Sequence, residues 1–130
     1  MGNTKKKIIL VEDDPALIDI YKIVMEKHHY ELLAVASGKE ALEVIKKVEQ
    51  DPELKPAVFL LDLILPDMDG LDILKAVKTS PATKDCLVFI LTNKERVGFE
   101  ELGAGKPDEF FVKANITPTE LVEVIKKHIG

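Results

Sequence analysis

Charged and hydroxyl side chains follow four of the five apolar runs in this sequence. They are Glu12, Asp13 and Asp14 after the first run, Asp62 after the third, Thr92 at the end of the fourth and Lys113 after the fifth. A cluster of acids repels itself and attracts a hard divalent cation, and oxygen ligands with octahedral geometry favour Mg²⁺. With a metal ion, an ammonium and a hydroxyl around it, an aspartate can attack phosphorus and hold an acyl phosphate. The residue types therefore indicate phosphoryl transfer to a carboxylate.

Each of these residues has an ordinary interpretation when it is taken alone. An aspartate after a strand is commonly a helix cap or a turn former, and this is the preferred interpretation for Asp14, Asp67 and Asp69. Thr92 alone could be a cap, and Lys113 alone a solvated charge. Ligands of open α/β sheets bind outside the carboxyl ends of the strands, so the arrival of all these groups at one sheet edge favours a site.

The elements that must position these groups alternate along the whole chain. The five apolar runs are continuous, as is typical of strands covered on both faces: 8–11, 32–35, 58–61, 87–91 and 110–112. Helix patterns with start signals lie between them: Asp14-Pro15, a capping box from Ser37 to Glu40, Gly70, and a capping box from Thr117 to Glu120. This order predicts five βα units, with a parallel sheet and helices on both of its faces.

The fourth helix is the weakest of the predicted elements. Only about nine residues, Lys94 to Leu102, are left for it between the breakers that follow Thr92, and Gly98 lies inside it. A helix this short is marginal without tertiary support. We therefore expect Lys94–Pro107 to have the lowest local stability in the fold.

Size and composition limit the function classes. A chain of 130 residues fits one domain, over 1–130. Its formal net charge of -5 argues against direct nucleic-acid binding. The lone Cys86 leaves no disulfide framework and favours a reducing cytoplasm. No apolar run approaches the length of a membrane span. A cytoplasmic protein without a membrane partner is the expectation.

Several segments together resemble the receiver domains of bacterial response regulators. They are Lys7–Pro15, Leu61–Gly70, Ile90–Thr92 and Phe110–Lys113, and the similarity covers essentially the whole chain. The resemblance implies a flavodoxin-like, doubly wound (βα)5 fold with strand order 2-1-3-4-5. Its topological switch point would lie between the first and third strands, where Asp13 and Asp62 emerge. The chain stops at the fifth predicted helix, so no output domain is expected on it.

The resemblance also implies a magnesium site beside a phosphoacceptor. Asp62 would accept the phosphoryl group and contribute to the metal site. Asp13 would bind Mg²⁺ directly, and Glu12 would complete the acidic pair through water. The backbone carbonyl of Ile64 would be a further metal ligand. Asp13 is favoured over Asp14 as the direct ligand because Asp14 precedes Pro15 as a helix cap.

A second set of residues would sense the phosphoryl group. Thr92 and Lys113 would contact its oxygens, and Phe110 occupies the place of the aromatic switch residue of the family. The sequence departs from the family pattern at the residue after Lys113. The family usually has a proline after the lysine, joined by a cis bond, whereas Ala114 follows here. A cis non-proline bond costs about 3 kcal/mol, so the alternatives for this bond are trans or strained.

The function implied is that of a phosphorylation switch and not of an enzyme in the usual sense. A histidine kinase or a phosphotransfer protein would donate the phosphoryl group. The domain would catalyse its own phosphorylation and slow hydrolysis weakly, and a downstream protein would recognise the product. The resemblance also allows a homodimer through the face formed by the fourth helix, the fifth strand and the fifth helix.

Three other functions compete with this one. A phosphorylation-independent interaction module on the same fold would not need the intact set of site residues. A flavodoxin-like flavin binder needs a hydroxyl- and glycine-rich loop after the first strand, where this chain has three acids that would repel a phosphate. A phosphatase of the haloacid dehalogenase type needs a second aspartate two positions after its nucleophile, and that position is Ile64.

Overall fold

The computed structural model describes residues 5–93 and 106–130, in which five strands form one parallel sheet. The strands are β1 (Lys6–Val11), β2 (Tyr30–Val35), β3 (Val58–Leu61), β4 (Leu87–Thr92) and β5 (Glu109–Val112), and the helices described are α1 (Pro15–Lys27), α2 (Gly38–Gln50), α3 (Gly70–Thr79) and α4 (Pro118–Ile129). The strand order is β2-β1-β3-β4-β5, as predicted. None of the described helices is long and apolar enough to cross a membrane.

The continuous apolar runs form strands because both faces of the sheet are covered. Alternate residues of the central strands belong to two separate cores. One core holds Ile9, Val11, Phe59, Leu61, Val88 and Ile90 with buried side chains of α2 and α3, and the other holds Ile8, Leu10, Val58, Leu60, Phe89 and Leu91 with those of α1 and α4. Side chains alternate between the two faces of a strand, and both faces of the central strands pack against helices. These strands therefore have no polar face.

The helix starts largely follow the predicted signals. The Asp14 side chain caps α1 by accepting from the Ala16 N–H at 2.9 Å, and Pro15 is the first helical residue. The capping box of α4 is complete, with both reciprocal bonds between Thr117 and Glu120 formed. Each of these helices follows the carboxyl end of a parallel strand, so its amino end lies toward the edge of the sheet from which the acidic residues emerge.

The capping box predicted at the start of α2 is only half formed. Ser37 Oγ accepts from the Glu40 N–H at 3.2 Å, as expected. The Glu40 carboxylate, however, accepts from the N–H of Ala36 at 2.8 Å and not from that of Ser37. The box was therefore wrong in its second half, because the backbone before the helix brings the Ala36 N–H to the carboxylate.

Two predictions concern the region around β5. The helix predicted from Lys94 to Leu102 lies outside the described residues, and so does the segment Lys94–Pro107 apart from its last two residues. The Lys113-Ala114 bond is trans, since the described part of the chain contains no cis peptide. A short 3-10 turn, Lys113–Asn115, leads from β5 toward α4. α4 is thus the fifth helix of the sequence-based prediction.

Candidate functional site

Glu12 and Asp62 directly follow the last residues of the neighbouring strands β1 and β3. The Glu12 N–H donates to the carbonyl of Val35 at 3.0 Å, and the Asp62 N–H donates to the carbonyl of Val11 at 3.1 Å. These bonds continue the ladders of β1 with β2 and with β3 by one residue. Both residues are buried, with 2% and 5% of their surface exposed. Two carboxylates are thereby held at the topological switch point of the sheet, where ligands of this fold class bind.

Lys113 links these two buried carboxylates. Its Nζ lies 2.6 Å from Glu12 Oε1 and 2.7 Å from Asp62 Oδ2. Burial lowers the pKa of Lys113, but the hydrogen bonds to Asp62 and Glu12 outweigh it and the pKa is raised. Burial raises the pKa of Glu12, against the lowering effect of Lys113. The lysine is therefore a fixed cation, and it compensates only one of the two negative charges that it touches.

Asp13 adds a third carboxylate at the mouth of the site. One oxygen each of Glu12, Asp13 and Asp62 can be chosen so that all three lie within 4.8 Å of one another. Asp13 is exposed, whereas the other two are buried. With Lys113 counted, the cluster carries a formal charge of about -2 when all four groups are ionised. Hard oxygen donors with an uncompensated double negative charge fit a divalent cation such as Mg²⁺.

Asp14, the alternative ligand, is engaged elsewhere. Its side chain caps α1, and its own N–H donates to Glu12 Oε2 at 3.0 Å. It lines the cleft but does not belong to the three-carboxylate cluster. Asp14 is thus the helix cap that the sequence suggested, and the choice of Asp13 as the direct metal ligand stays a prediction.

The acidic cluster lies in an open cleft of about 300 Å³. Its walls come from the ends of β1, β3, β4 and β5, and they are formed by Glu12, Asp13, Asp14, Asp62, Ile64, Leu65, Pro66, Asn93 and Lys113. Asn93, Leu65 and Pro66 were not among the predicted site residues. Asn93 could have been found, because it directly follows the apolar run of β4. Six of these nine lining residues are charged or polar, so the cleft suits a polar or charged ligand better than an apolar one.

The segment from Asp62 to Gly70 wraps tightly around the phosphoacceptor candidate. Asp62 Oδ1 accepts from the Ile64 N–H at 3.0 Å, and the Gly70 N–H donates to the carbonyl of Leu63 at 2.9 Å. A Cβ on Gly70 would overlap the carbonyl oxygen of Asp62 and come to 2.5 Å from the Cα of Leu63. Position 70 must be glycine because the backbone of Asp62 and Leu63 occupies the space of a side chain.

Thr92 and Phe110 lie on the strand pair that borders the cleft. Thr92 is completely buried at the end of β4 and is in register with Val112, the residue before Lys113. Phe110 is in register with Ile90 and is partly buried against the α2–α3 core. Register partners and alternate residues share a face, so Thr92 and Phe110 belong to the same face of the sheet. Their assigned roles in switching stay predictions.

Comparison with known proteins agrees with this architecture. The family described as the response regulator receiver domain matches residues 8–126. The chain belongs to this family. The resemblance recognised in the sequence and the fold that it implied are both confirmed.

Individual relatives are distant but cover the chain almost completely. The chain is 26% identical over 129 residues to the DNA-binding response regulator MtrA of Mycolicibacterium smegmatis, covering 99% of this chain and 53% of that protein. It is 26% identical over 125 residues to the polar-differentiation response regulator DivK of Brucella ovis, covering 96% and 97%. It thus spans about half the length of MtrA and almost all of DivK.

A solved receiver structure shows the same fold. The crystal structure of a CheY-like response regulator receiver domain protein from Methanospirillum hungatei JF-1 is 30% identical and has a TM-score of 0.76. The match covers 96% of this chain and 94% of that one. The receiver domain of a two-component system is accordingly the functional class of this chain.

Proposed function

We propose that this receiver domain, taken as residues 1–130, accepts a phosphoryl group on Asp62 and acts as a phosphorylation switch. The observation that carries the proposal is the environment of this carboxylate. It is buried at the end of β3, bonded to the Lys113 ammonium at 2.7 Å, and clustered with Glu12 and Asp13. A cation and two further acids around one buried aspartate are the parts that phosphoryl transfer to a carboxylate requires.

The cofactor of this reaction is proposed to be Mg²⁺. Asp13 and Asp62 would be direct ligands, with Glu12 acting through water and the carbonyl of Ile64 completing the protein ligands. Their hard oxygens and the net negative charge of the cluster support this choice. When bound, the ion neutralises charge on the phosphoryl oxygens and on the attacking carboxylate.

Asp62, Lys113 and Thr92 would have different roles in the transfer step. One carboxylate oxygen of Asp62 attacks phosphorus while the P–N bond of a phosphohistidine breaks. The electron pair of that bond stays on the imidazole nitrogen, which then takes up a proton. Lys113 already contacts Asp62, so its ammonium can pass to a phosphoryl oxygen with little movement. The Thr92 hydroxyl would donate to another phosphoryl oxygen and thereby change the packing around Phe110.

The donor is proposed to be a histidine kinase or a phosphotransfer protein in the cytoplasm. Family membership supports a partner of this class. The same site would slowly hydrolyse the acyl phosphate, since the cations that stabilise transfer from histidine also stabilise transfer to water. A downstream protein would then distinguish the phosphorylated form, and a homodimer through the surface that includes β5 and α4 remains a second expectation.

Labelling with a small phosphodonor tests the proposal. Incubation with acetyl phosphate and Mg²⁺ should add one phosphoryl group per chain by intact mass, and omission of Mg²⁺ should abolish it. Asp62→Asn should take up none. Asp69→Asn is the matched control, because Asp69 lies in the same segment but caps α3 through the Leu71 N–H. A phosphorylation-independent interaction module would show no labelling of the wild type, and undiminished labelling of Asp62→Asn would sink the assignment.

A further inference from the structure

The segment that follows Asp62 is fastened to a helix from another part of the chain. The carboxylate of Asp67 accepts from the N–H of Gly38 at 2.8 Å and from the N–H of Lys39 at 2.9 Å. These two groups are the first N–H donors of α2. The amino end of a helix leaves such donors without partners inside the helix. Asp67 therefore caps α2 from a distance, across 29 and 28 residues.

Two other side chains cap the amino ends of α2 and α3. Ser37 Oγ serves the next donor of α2, the N–H of Glu40, and Asp69 Oδ1 caps α3 through the Leu71 N–H. The carboxylate of Asp67 therefore bonds to α2 and not to α3, the helix that follows it in the sequence. The hydrogen bonds from Gly38 and Lys39 lower the pKa of Asp67, so it is ionised at neutral pH and suits the positive end of the helix dipole.

A second contact joins the same two elements. The side chain of Met68, the next residue, lies directly against Gly38, where an added Cβ would overlap its Cγ and come to 2.6 Å from its Sδ. Met68 also packs against the core between the sheet and the helices α2 and α3. Polar bonds and apolar packing therefore hold one short stretch of the segment on α2.

The anchored stretch is only a few residues from the atoms proposed to bind the metal. Ile64, Leu65 and Pro66 line the cleft, and Asp67 follows them directly. At the other end of this stretch, Asp62 Oδ1 holds the Ile64 N–H. The chain between Asp62 and Asp67 is thus held by hydrogen bonds at both ends.

We infer that Asp67 is a positioning residue, which holds the backbone carbonyl of Ile64 toward the metal site by tying its segment to α2. The inference rests on the proposed function, since it assumes a metal at Glu12, Asp13 and Asp62. Residues that orient ligands from outside the coordination shell typically change metal affinity by tenfold or more when they are mutated. Coupling between two sites is reciprocal, so metal binding should also stabilise the first turn of α2.

The test compares Asp67→Ala with two controls. Ser37→Ala removes a different cap from the same end of α2, and Asp69→Asn removes a charge from the same segment while keeping an acceptor for the α3 cap. Titration calorimetry with MgCl₂ measures the dissociation constant of each purified protein. Asp67→Ala should raise it about tenfold, whereas each control should stay within about twofold of the wild type.

Hydrogen exchange measured by mass spectrometry reports on the backbone itself, both without and with Mg²⁺. Asp67→Ala should speed exchange both in residues 62–70 and in the first turn of α2, and Ser37→Ala only in α2. Mg²⁺ should slow exchange at Gly38 and Lys39 in the wild type and not in Asp67→Ala.

The outcomes separate the two ideas. A wild type that binds Mg²⁺ while Asp67→Ala binds it equally well overturns the positioning role alone. Equal losses in Asp67→Ala and Ser37→Ala also overturn it, since helix stability would then explain both. A wild type that binds no Mg²⁺ overturns the proposed function and the positioning role together.

Discussion

Removing the charge of Asp13 should stabilise the protein when no magnesium is present. At 4.8 Å, the upper bound on the separation of the ligand atoms, two unit charges repel by about 1 kcal/mol in water and by about 3.5 kcal/mol at an effective dielectric constant of about 20. Asp13 is exposed, so the lower figure applies to each pair. Asp13 lies near two carboxylates, and the single cation of Lys113 contacts both of them and can compensate only one. Roughly one repulsion of Asp13 is therefore left uncompensated. We expect Asp13→Asn to gain about 1 kcal/mol, or about 3–5 °C in melting temperature.

Magnesium should cancel this advantage. A ligand that binds only the folded state stabilises it by RT ln(1 + [L]/Kd), which is about 1.4 kcal/mol at a concentration of ten times Kd. If the loss of the Asp13 carboxylate raises Kd tenfold, the variant gains only about 0.4 kcal/mol at the same concentration. The stability difference of about 1 kcal/mol between the two proteins would then vanish.

Thermal melts with EDTA and with a series of MgCl₂ concentrations measure both effects. Asp14→Asn is the matched control, because it removes the adjacent charge but keeps a good N-cap residue for α1. This control should gain as much from Mg²⁺ as the wild type. The reasoning is refuted if Asp13→Asn responds to Mg²⁺ as strongly as the wild type, or if Asp14→Asn loses the response instead.

Three further substitutions examine other contacts of the site and the fold. Lys113→Met should lower the unfolding free energy in urea by about 3 kcal/mol, because it leaves Glu12 and Asp62 buried without a cation; a loss below about 1 kcal/mol would contradict the pairing. Gly70→Ala should cost about 1–3 kcal/mol in the same assay, although alanine favours helices, because its Cβ overlaps the backbone of Asp62; a gain in stability would refute this. Hydrogen bonds from Thr117 lower the pKa of Glu120 below its ordinary value of 4.5. Its stabilising effect is therefore complete above that pH and is lost as the pH falls through the lowered pKa, so the difference in melting temperature between the wild type and Glu120→Ala should shrink there and not stay constant.

The fold and most of the site could be predicted because their signals are local or topological. A continuous apolar run specifies a strand buried on both faces, and the parallel arrangement then brings all strand ends to one edge. The positions of Glu12 and Asp62 directly after two strands were enough to predict that they lie close together. The contact of Lys113 with both carboxylates at once was not predictable, because it depends on how a long side chain crosses from β5 to β1. The half-formed box at Ser37 failed for a similar reason, since one residue of backbone geometry decides which N–H the Glu40 carboxylate reaches.

The role of Asp67 shows how a long-range contact can leave a trace in a sequence. Taken alone, an aspartate before a helix is a local cap, but at α3 Asp69 already fills this role. Ser37 likewise satisfies one donor of α2 and leaves the N–H groups of Gly38 and Lys39. The carboxylate of Asp67 is an acceptor that the start of α3 does not use, and Gly38 and Lys39 carry donors that have no partner within α2. Such groups must bind elsewhere in the protein or to water. The two helix starts lie at the same edge of the sheet, so these groups can reach one another across 29 residues of sequence. In this chain the second acid before α3 therefore marks a contact with the neighbouring helix α2.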